Sequence, residues 1–196
     1  MHPIFSDYQN DLERLASGYE RIVRFLAFIG LPLSVLLYFI ASEVTLIIFG
    51  DQWIPSIPIF QILTLSVGIQ IILSSSGSIF QAAGDTKSLF VCGLFSSALN
   101  VTGILLGIFW IGTLEAVASC ITLTFTVNFI QCYWIMYQVT LHRSLRNFVA
   151  QLISPFVISI LLTAVLYPLS LLTEGGNIFL TLIVKSIIFF IIFGCY

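Results

Sequence analysis

The class of this chain is decided by stretches such as residues 88–111, SLFVCGLFSSALNVTGILLGIFWI, which contain no charged side chain. A hydrocarbon core about 30 Å thick is crossed by about 20 apolar residues in an α-helix. The stretch is long enough to cross it. The whole chain agrees, because it is 59% hydrophobic and only 8% charged, whereas a soluble domain carries about 25% charged residues. The sequence therefore predicts an all-α, polytopic transmembrane helical bundle.

Six stretches of this kind predict six spans that are separated by short polar joints. The predicted bounds are residues 23–41, 56–82, 88–111, 114–137, 148–172 and 177–196. Pro32 lies inside the first span, where neighbouring helices tolerate a kink. The polar start and the abrupt apolar end of the chain suggest a piece of a larger protein.

Residues 1–22 are predicted to lead into the bundle at 23–196. Ser6 and Gln9 form a capping-box pattern, and apolar residues then recur at spacings of four and three. These residues are Tyr8, Leu12, Leu15, Tyr19 and Ile22. The opposite face is charged, so we expect an amphipathic helix over 7–22 that lies at the membrane surface and runs into the first span. A solvated helix is the alternative.

The position of Glu43 depends on where the first helix ends. Ser42 followed by Glu43 has the pattern of an N-cap with an acid in the first turn. This pattern predicts a short second helix that ends at Gly50 and leaves Glu43 at the water interface. The alternative is one tilted helix from Val23 to Phe49, with Glu43 buried.

The basic residues predict the orientation of the chain, because cytoplasmic joints are enriched in Lys and Arg. Six basic residues fall on one side of the predicted spans: Arg14, Arg21, Arg24, Lys87, Arg143 and Arg146. The joints on the opposite side hold Asp51, Glu115 and Glu174 and no basic residue. We therefore expect both ends of the chain to lie in the cytoplasm.

Polar side chains inside the spans are candidates for a substrate path. The second span carries a polar stripe, which covers about a third of the helix circumference. The stripe consists of Ser66, Gln70, Ser74, Gly77, Ser78 and Gln81. Such residues either line a water-filled path for a polar substrate or join helices by hydrogen bonds and close approach. Both interpretations stay open here, and Gln70, Ser74 and Gln81 are the path candidates.

Other polar positions favour helix packing over a path. In the third span the glycines Gly93, Gly103 and Gly107 recur on one side, which is typical of close helix contacts in membranes. In the fourth span Asn128 and Gln131 also favour packing.

Two basic positions complete the set of candidates. Lys185 is a charge well inside the sixth predicted span, where a charged group costs at least about 2.5 kcal/mol. We expect it to face an aqueous cavity, to find a partner or to snorkel. Arg21 and Arg24, at the predicted inner mouth, are placed to contact the phosphates of a lipid-linked substrate, but ordinary positive-inside flanking is the favoured explanation for them.

The sequence gives no signature of catalysis, of a cofactor or of a metal. No joint carries a nucleotide-binding loop, an HExxH, a GxSxG or an acidic pair. The four cysteines form neither a CxxC pair nor a cluster with histidine, so the patterns of disulfide and zinc sites are missing. The scattered basic residues give no signature of nucleic-acid binding. We therefore expect a non-enzymatic protein without a cofactor.

Five short motifs follow one another along the chain. They are Pro3-Ile4-Phe5-Ser6 with Gln9, Asp11 and Arg14-Leu15; Leu31-Pro32-Leu33; Ile48-Phe49-Gly50-Asp51-Gln52-Trp53; Phe60-Gln61-Ile62-Leu63; and Ala83-Gly84-Asp85-Thr86-Lys87. In this order and spacing the chain resembles the polysaccharide flippases of the multidrug/oligosaccharidyl-lipid/polysaccharide (MOP) exporter superfamily, which is MATE-like. The resemblance covers nearly the whole chain and corresponds to the C-terminal portion of such a transporter.

The resemblance implies two helical bundles that face each other across a central cavity. The intact protein would move an undecaprenyl-pyrophosphate-linked oligosaccharide repeat unit across a bacterial inner membrane, for polysaccharide, lipopolysaccharide or O-antigen biosynthesis. The implied partners are this lipid-linked substrate, membrane lipids, and a missing N-terminal half or glycan-assembly proteins. No residue matches a substrate position of the family, and Lys185 lies at the edge of the cavity if the last two spans are the extra pair of a fourteen-helix member.

Three alternatives remain open at this point. The chain could be a truncated, non-transporting remnant or a half that needs a partner. It could belong to a MATE-type drug or cation antiporter, whose mark is an acid inside the membrane, and only a buried Glu43 would supply one. A membrane glycan enzyme ranks last, because the outer joints are too short to hold its acids or arginines.

Overall fold

The structure, a computed structural model, describes residues 12–173 and 177–194, and every regular element in these ranges is helical. The α-helices are α1 (Leu12–Phe49), α2 (Ile57–Thr64), α3 (Val67–Leu73), α4 (Ser76–Ala82), α5 (Thr86–Leu106), α6 (Leu114–Ile135), α7 (Leu145–Leu172) and α8 (Ile178–Gly194). A 3₁₀ helix at Asp51–Ser56 precedes α2, and π-helical turns at Gly107–Ile111 and Met136–Thr140 extend α5 and α6. The predicted all-α fold is confirmed.

Four helices within the described ranges are long and apolar enough to cross a membrane: Arg14–Phe49, Thr86–Ile111, Leu114–Thr140 and Phe148–Leu172. The segments Asp51–Thr64 and Val67–Ala82, bent by 41° at their junction, make a fifth crossing if they are counted as one span. Helix α8 is apolar but has only 17 residues. The structure thus shows a multi-pass helical membrane protein with four or five candidate crossings in the described ranges, and the sixth predicted span stays a prediction.

Helix α1 is one helix of 38 residues, so the prediction of a separate short helix from Ser42 to Gly50 is wrong. Ser42 lies inside this helix and does not cap a new one, and its hydroxyl donates to Glu43 Oε2 at 2.8 Å. Glu43 is buried, with 7% of its surface exposed. The continuous-helix alternative is therefore correct, and α1 ends before Gly50, whose φ of 83° only glycine adopts readily.

The predicted lead-in helix is described from Leu12 onward, and residues 7–11 lie outside the described part, as does the motif that begins at Pro3. Residues 12–22 continue into the first span without a break. Leu15 and Tyr19, two members of the predicted apolar face, are fully buried in the protein. This part of α1 thus packs on the bundle through that face.

Helix α1 organises the packing of the described bundle. It contacts α2, α3, α7 and α8, while α6 contacts α2, α3 and α5. One apolar cluster joins α1, α3, α4, α5, α6 and α7; its large members include Tyr19, Ile72, Phe80, Tyr133, Tyr137 and Phe148. A second cluster joins α1, α7 and α8 through Leu36, Ile40, Ile158, Leu162 and Phe189.

The bend between α2 and α3 is held by a serine of α1. In a continuous α-helix the amide of Gly68 would donate to the carbonyl of Thr64. Here Ser34 Oγ donates to Thr64 O at 2.5 Å and accepts from Gly68 N at 3.0 Å. A side chain inserted into the backbone ladder is a recognised cause of kinks. The hydroxyl therefore replaces one backbone hydrogen bond and keeps both of its ends satisfied at the bend.

Close approach of the backbones lets the serine reach this position. A Cβ added at Gly68 would lie 2.9 Å from the carbonyl oxygen of Gly30. No side chain fits at that distance, so glycine at both positions brings α1 and α3 into contact.

Glycines also bring α5 and α6 together, as the sequence predicted. A Cβ at Gly107 would lie 2.8 Å from Val117 Cα, and one at Gly103 would lie 2.5 Å from Thr124 Cγ2. Gly93 differs, because nothing lies within 4 Å of its Cβ position. The packing role is therefore confirmed for Gly103 and Gly107.

The joint between α4 and α5 is fixed by Asp85. One carboxylate oxygen accepts from the Ser88 amide at 3.0 Å and caps α5, and the other accepts from the Thr140 hydroxyl at 2.7 Å. Partial burial raises the pKa of Asp85, but the hydrogen bonds from Ser88 and Thr140 outweigh it and leave the pKa below its usual value. The carboxylate therefore stabilises the fold above its ordinary pKa, and this contribution is lost as the pH falls through the lowered one.

We expect Ser34→Ala to destabilise the protein, because it leaves Thr64 O and Gly68 N without their shared partner. An unsatisfied buried group costs about 1–3 kcal/mol. The measurement is thermal unfolding of the purified protein in detergent. Ser97→Ala is the matched control, since the exposed Ser97 hydroxyl donates to Gly93 O of its own helix and bridges no second helix among the described residues. Equal melting temperatures for the two variants would contradict the bridging role.

Gly107→Ala should also destabilise, by about 1–3 kcal/mol, because the new methyl group overlaps the backbone of Val117. Gly93→Ala should be neutral or slightly stabilising, since alanine is the better helix former and has free space there. The same thermal unfolding assay compares them. A loss of stability that is equal at the two positions would argue against close packing of α5 on α6.

Candidate functional site

Glu43 of α1 and Lys185 of α8 form an ion pair inside the bundle. Lys185 Nζ lies 2.5 Å from Glu43 Oε1 and donates a second hydrogen bond to Phe39 O at 2.8 Å. The other carboxylate oxygen of Glu43 accepts from the Ser42 hydroxyl at 2.8 Å. Lys185 is 4% exposed. Of the three outcomes expected for Lys185, the structure shows a partner.

The cost of burying charge explains why these two side chains are adjacent. An ion taken out of water loses several kcal/mol of solvation, even after the protein relaxes. The attraction between the opposite charges and the hydrogen bonds from Ser42 and to Phe39 offset this loss. Either charge alone would lack that compensation. The pair therefore links α8 to α1.

A cavity of about 420 Å³ adjoins the ion pair. Besides Glu43 and Lys185 it is lined by Tyr38, Phe39, Ser42, Leu46, Gln61, Tyr167, Ser170, Leu171, Thr173, Ile178 and Thr181. Its volume is in the range of small-molecule sites, about 300–1,000 Å³. The wall combines two opposite charges with hydroxyl, amide and aromatic groups, so it offers both hydrogen-bond donors and acceptors to a polar ligand.

The cavity lies near one end of the helices. Glu43 is six residues before the end of α1, and Lys185 is seven residues after the start of α8. At 1.5 Å per residue, both lie roughly 10 Å inside the same end of the bundle. In a hydrocarbon core about 30 Å thick, this depth lies between the helix ends and the middle of the bilayer.

The candidates of the polar stripe do not line this cavity. Gln70 is half-buried, and its Nε2 donates to Ser66 Oγ at 2.8 Å. Ser74 is exposed, and its hydroxyl donates to Ile71 O of its own helix. Gln81 is exposed as well. The structure thus does not bring Gln70, Ser74 and Gln81 to Lys185, and their role in a substrate path stays a prediction.

Arg24 lies far from the ion pair along α1. It is exposed and, with Arg21, Phe25 and Phe28, lines a separate cavity of about 250 Å³. Nineteen residues separate Arg24 from Glu43, which is about 28 Å along a helix. The contact of Arg24 with a lipid-linked substrate therefore stays a prediction.

A buried tyrosine network joins the other end of the bundle. Tyr19 OH lies 3.0 Å from Ser75 Oγ and 2.9 Å from Tyr133 OH, and Tyr133 OH donates to Ile72 O at 3.1 Å. The network connects α1, the break between α3 and α4, and α6. Sequence reasoning treated Tyr19 only as part of an apolar face, and its hydroxyl gave no signal of a distant partner.

Glu43 is the site residue that sequence reasoning misplaced. The local signal for burial was present, since Glu43 lies in an apolar stretch that runs to Phe49. The N-cap pattern of Ser42 outweighed it. Lys185, which has no acidic neighbour in the last predicted span, was a second signal, because a buried ammonium group is stable only beside a counter-ion such as a buried carboxylate.

The ion pair should show strong coupling in a double-mutant cycle. Lys185→Met leaves Glu43 buried without its counter-ion and should cost about 3–5 kcal/mol. Combining it with Glu43→Gln removes both charges and should recover most of this loss. The measurement is thermal unfolding in detergent. The exposed pair Lys87→Gln and Glu115→Gln serves as the control, and additive effects at Glu43 and Lys185 would refute the coupling.

Sequence comparison places the chain beside proteins of polysaccharide biosynthesis. A family model described as "Polysaccharide biosynthesis protein" matches residues 1–58. The chain is 24% identical over 180 residues to the teichuronic acid biosynthesis protein TuaB of Bacillus subtilis (strain 168), covering 88% of this chain and 35% of TuaB. It is 23% identical over 175 residues to the lipopolysaccharide biosynthesis protein WzxC of Escherichia coli (strain K12), covering 89% and 35%.

A solved structure shares the fold. The lipid II flippase MurJ, in its inward closed conformation, matches with a TM-score of 0.72 and 18% sequence identity over 97% of this chain and 41% of MurJ. The chain spans about one third of the length of the curated relatives that it matches, 35% of each of the first two. The matches to proteins of polysaccharide biosynthesis and the fold shared with a solved flippase agree with the resemblance that the motifs indicated.

Proposed function

We propose that this chain is part of the second helical bundle of a flippase that moves an undecaprenyl-pyrophosphate-linked oligosaccharide across the bacterial inner membrane, for polysaccharide or lipopolysaccharide biosynthesis. The observation that carries the proposal is the fold, which follows the lipid II flippase over 97% of the chain. The relatives named for teichuronic acid and lipopolysaccharide biosynthesis support a glycan-related cargo. In this proposal the protein is a transporter and not an enzyme, and it needs no cofactor.

The proposed topology has six spans with both chain ends in the cytoplasm. Helix α8 would be the sixth span: its 17 residues are about 26 Å long, close to the hydrocarbon thickness of about 30 Å. The distribution of basic residues supports this orientation. Residues 1–22 would lead into the bundle from the cytoplasmic side of the membrane.

The polar stripe is the proposed substrate path. Ser74 and Gln81 are exposed on the bent segment, although exposed side chains on α5 and α7 are largely apolar. A polar face of this kind suits a water-filled cavity and not lipid. In a two-bundle transporter, Gln70, Ser74 and Gln81 would face the opposite bundle and offer hydrogen bonds to a sugar or pyrophosphate. Arg24 would contact the phosphates of the substrate at the inner mouth of the path.

A cation antiporter of the same superfamily is the second candidate, and the burial of Glu43 favours it. A buried acid inside a span is the feature that such an exchanger uses. In this structure, however, Lys185 already neutralises Glu43, so the carboxylate lacks the uncompensated charge that would hold a free cation. Glycan transport therefore ranks first, and a remnant that has lost transport is the remaining alternative.

Expression of the full reading frame in a flippase-null strain should restore the surface glycan. Replacing Gln70, Ser74 and Gln81 by Leu together should lower export at least about tenfold, since a single lost hydrogen bond already costs about 1 kcal/mol. Ser97→Leu is the control on an exposed face. Membrane insertion without any glycan export would contradict the flippase proposal, and drug resistance in its place would favour the antiporter.

The proposed orientation can be tested separately with single cysteines. Cysteines at Lys87 and Arg143 should react only with reagents that enter the cytoplasm, whereas one at Asp51 should react from outside. The background cysteines of the chain are first replaced by Ala. Labelling of Lys87 and Arg143 from opposite sides would refute the span count.

A further inference from the structure

A second, apolar cavity lies next to the cavity beside the Glu43–Lys185 pair. The second cavity has a volume of about 330 Å³ and is lined by Val35, Tyr38, Phe39, Leu65, Thr163 and Tyr167. Tyr38, Phe39 and Tyr167 line both cavities. One wall is thus shared by a polar chamber and an apolar chamber, which together match a ligand with a polar and an apolar end.

The two chambers are ordered along the membrane as the two ends of a lipid are. The polar chamber reaches Glu43 and Leu46 of α1, near the end of that helix. The apolar chamber reaches back to Val35, about 12 Å deeper at 1.5 Å per residue. A lipid that enters from this end would have its headgroup towards the helix ends, in the chamber of Glu43, and its acyl chain deeper, in the chamber of Val35.

The charges select the type of headgroup. Glu43 and Lys185 lie side by side and carry opposite charges, so the site is neutral as a whole. A purely anionic group would be attracted by Lys185 but repelled by Glu43. A purely cationic group would be attracted by Glu43 but repelled by Lys185. A zwitterion whose two charges are a short distance apart satisfies both residues at once.

Hydrogen-bonding capacity supports the same choice. An ammonium group has three N–H donors, and within the described part of the chain Lys185 Nζ uses two, on Glu43 and Phe39. One donor is left for a phosphate oxygen. A carboxylate has about four acceptor positions, and Glu43 accepts from Lys185 and Ser42, which leaves room for a ligand ammonium.

We propose that these two adjacent cavities together form a binding site for phosphatidylethanolamine. Its phosphate would contact Lys185, its primary ammonium would contact Glu43, and one acyl chain would occupy the chamber lined by Val35, Leu65 and Thr163. The lipid would then act as a structural ligand between α1, α7 and α8. This inference does not depend on which molecule the transporter moves.

The test measures lipid retention by the full chain. The protein is equilibrated in nanodiscs of phosphatidylethanolamine and phosphatidylglycerol in equal amounts, and the lipids that stay bound after transfer to detergent are counted by native mass spectrometry. We expect phosphatidylethanolamine to be retained about tenfold over phosphatidylglycerol, the ratio given by one charge-assisted contact. Equal retention of the two lipids by the unaltered protein would overturn the proposal.

Two sets of variants separate the charges from the cavity. The double variant Glu43→Gln with Lys185→Met has no buried lone charge and should bring the ratio close to one, while Lys87→Gln with Glu115→Gln removes the same charges from exposed positions and should keep the tenfold ratio. Val35→Phe fills the apolar chamber and leaves the ion pair intact, so it should reduce total lipid retention. A preference that survives in the first variant, or retention that is unchanged in Val35→Phe, would overturn the site.

Discussion

Inside a bilayer there is no water to satisfy a polar group, so each such group must find its partner within the protein. This requirement accounts for the two contacts that define the described bundle. The ammonium of Lys185 and the carboxylate of Glu43 meet because neither can be buried alone. The hydroxyl of Ser34 fills the gap in the backbone of the bent segment for the same reason. Both contacts start from α1, which is why this helix is the centre of the packing.

Local patterns in the sequence were enough for the class of the protein and for the approximate position of most helices, because apolar length is a property of each segment by itself. The contact partners of buried polar side chains could not be predicted in the same way. Lys185 was recognised as needing one, but its partner is 142 positions away in the sequence. Ser42, next to Glu43, matches the pattern of a helix cap. A pattern of neighbouring residues contains no information about Lys185, which is distant in the sequence.

The bent segment is a second case in which local sequence patterns do not reveal a contact with a distant residue. Residues 56–82 were predicted as one span, and their composition contains no strong breaker at the junction of α2 and α3. The bend is centred on Gly68 and Thr64, but the hydroxyl that fills the gap belongs to α1. Periodicity was enough to locate the polar stripe on this segment but not to assign its function. Serine hydroxyls that bond to their own helix look the same in sequence as those that contact a substrate.

The bridge made by Ser34 has a consequence for movement. Thr64 O and Gly68 N are the two ends of an ordinary helical hydrogen bond, held apart by one oxygen atom. If α1 slid away, these ends could close on each other, and the serine could turn to a carbonyl of its own helix, as hydroxyls in membrane helices commonly do. The number of satisfied groups would be the same before and after. Straightening of this segment is therefore an exchange of partners with little net loss, which makes the junction a natural hinge.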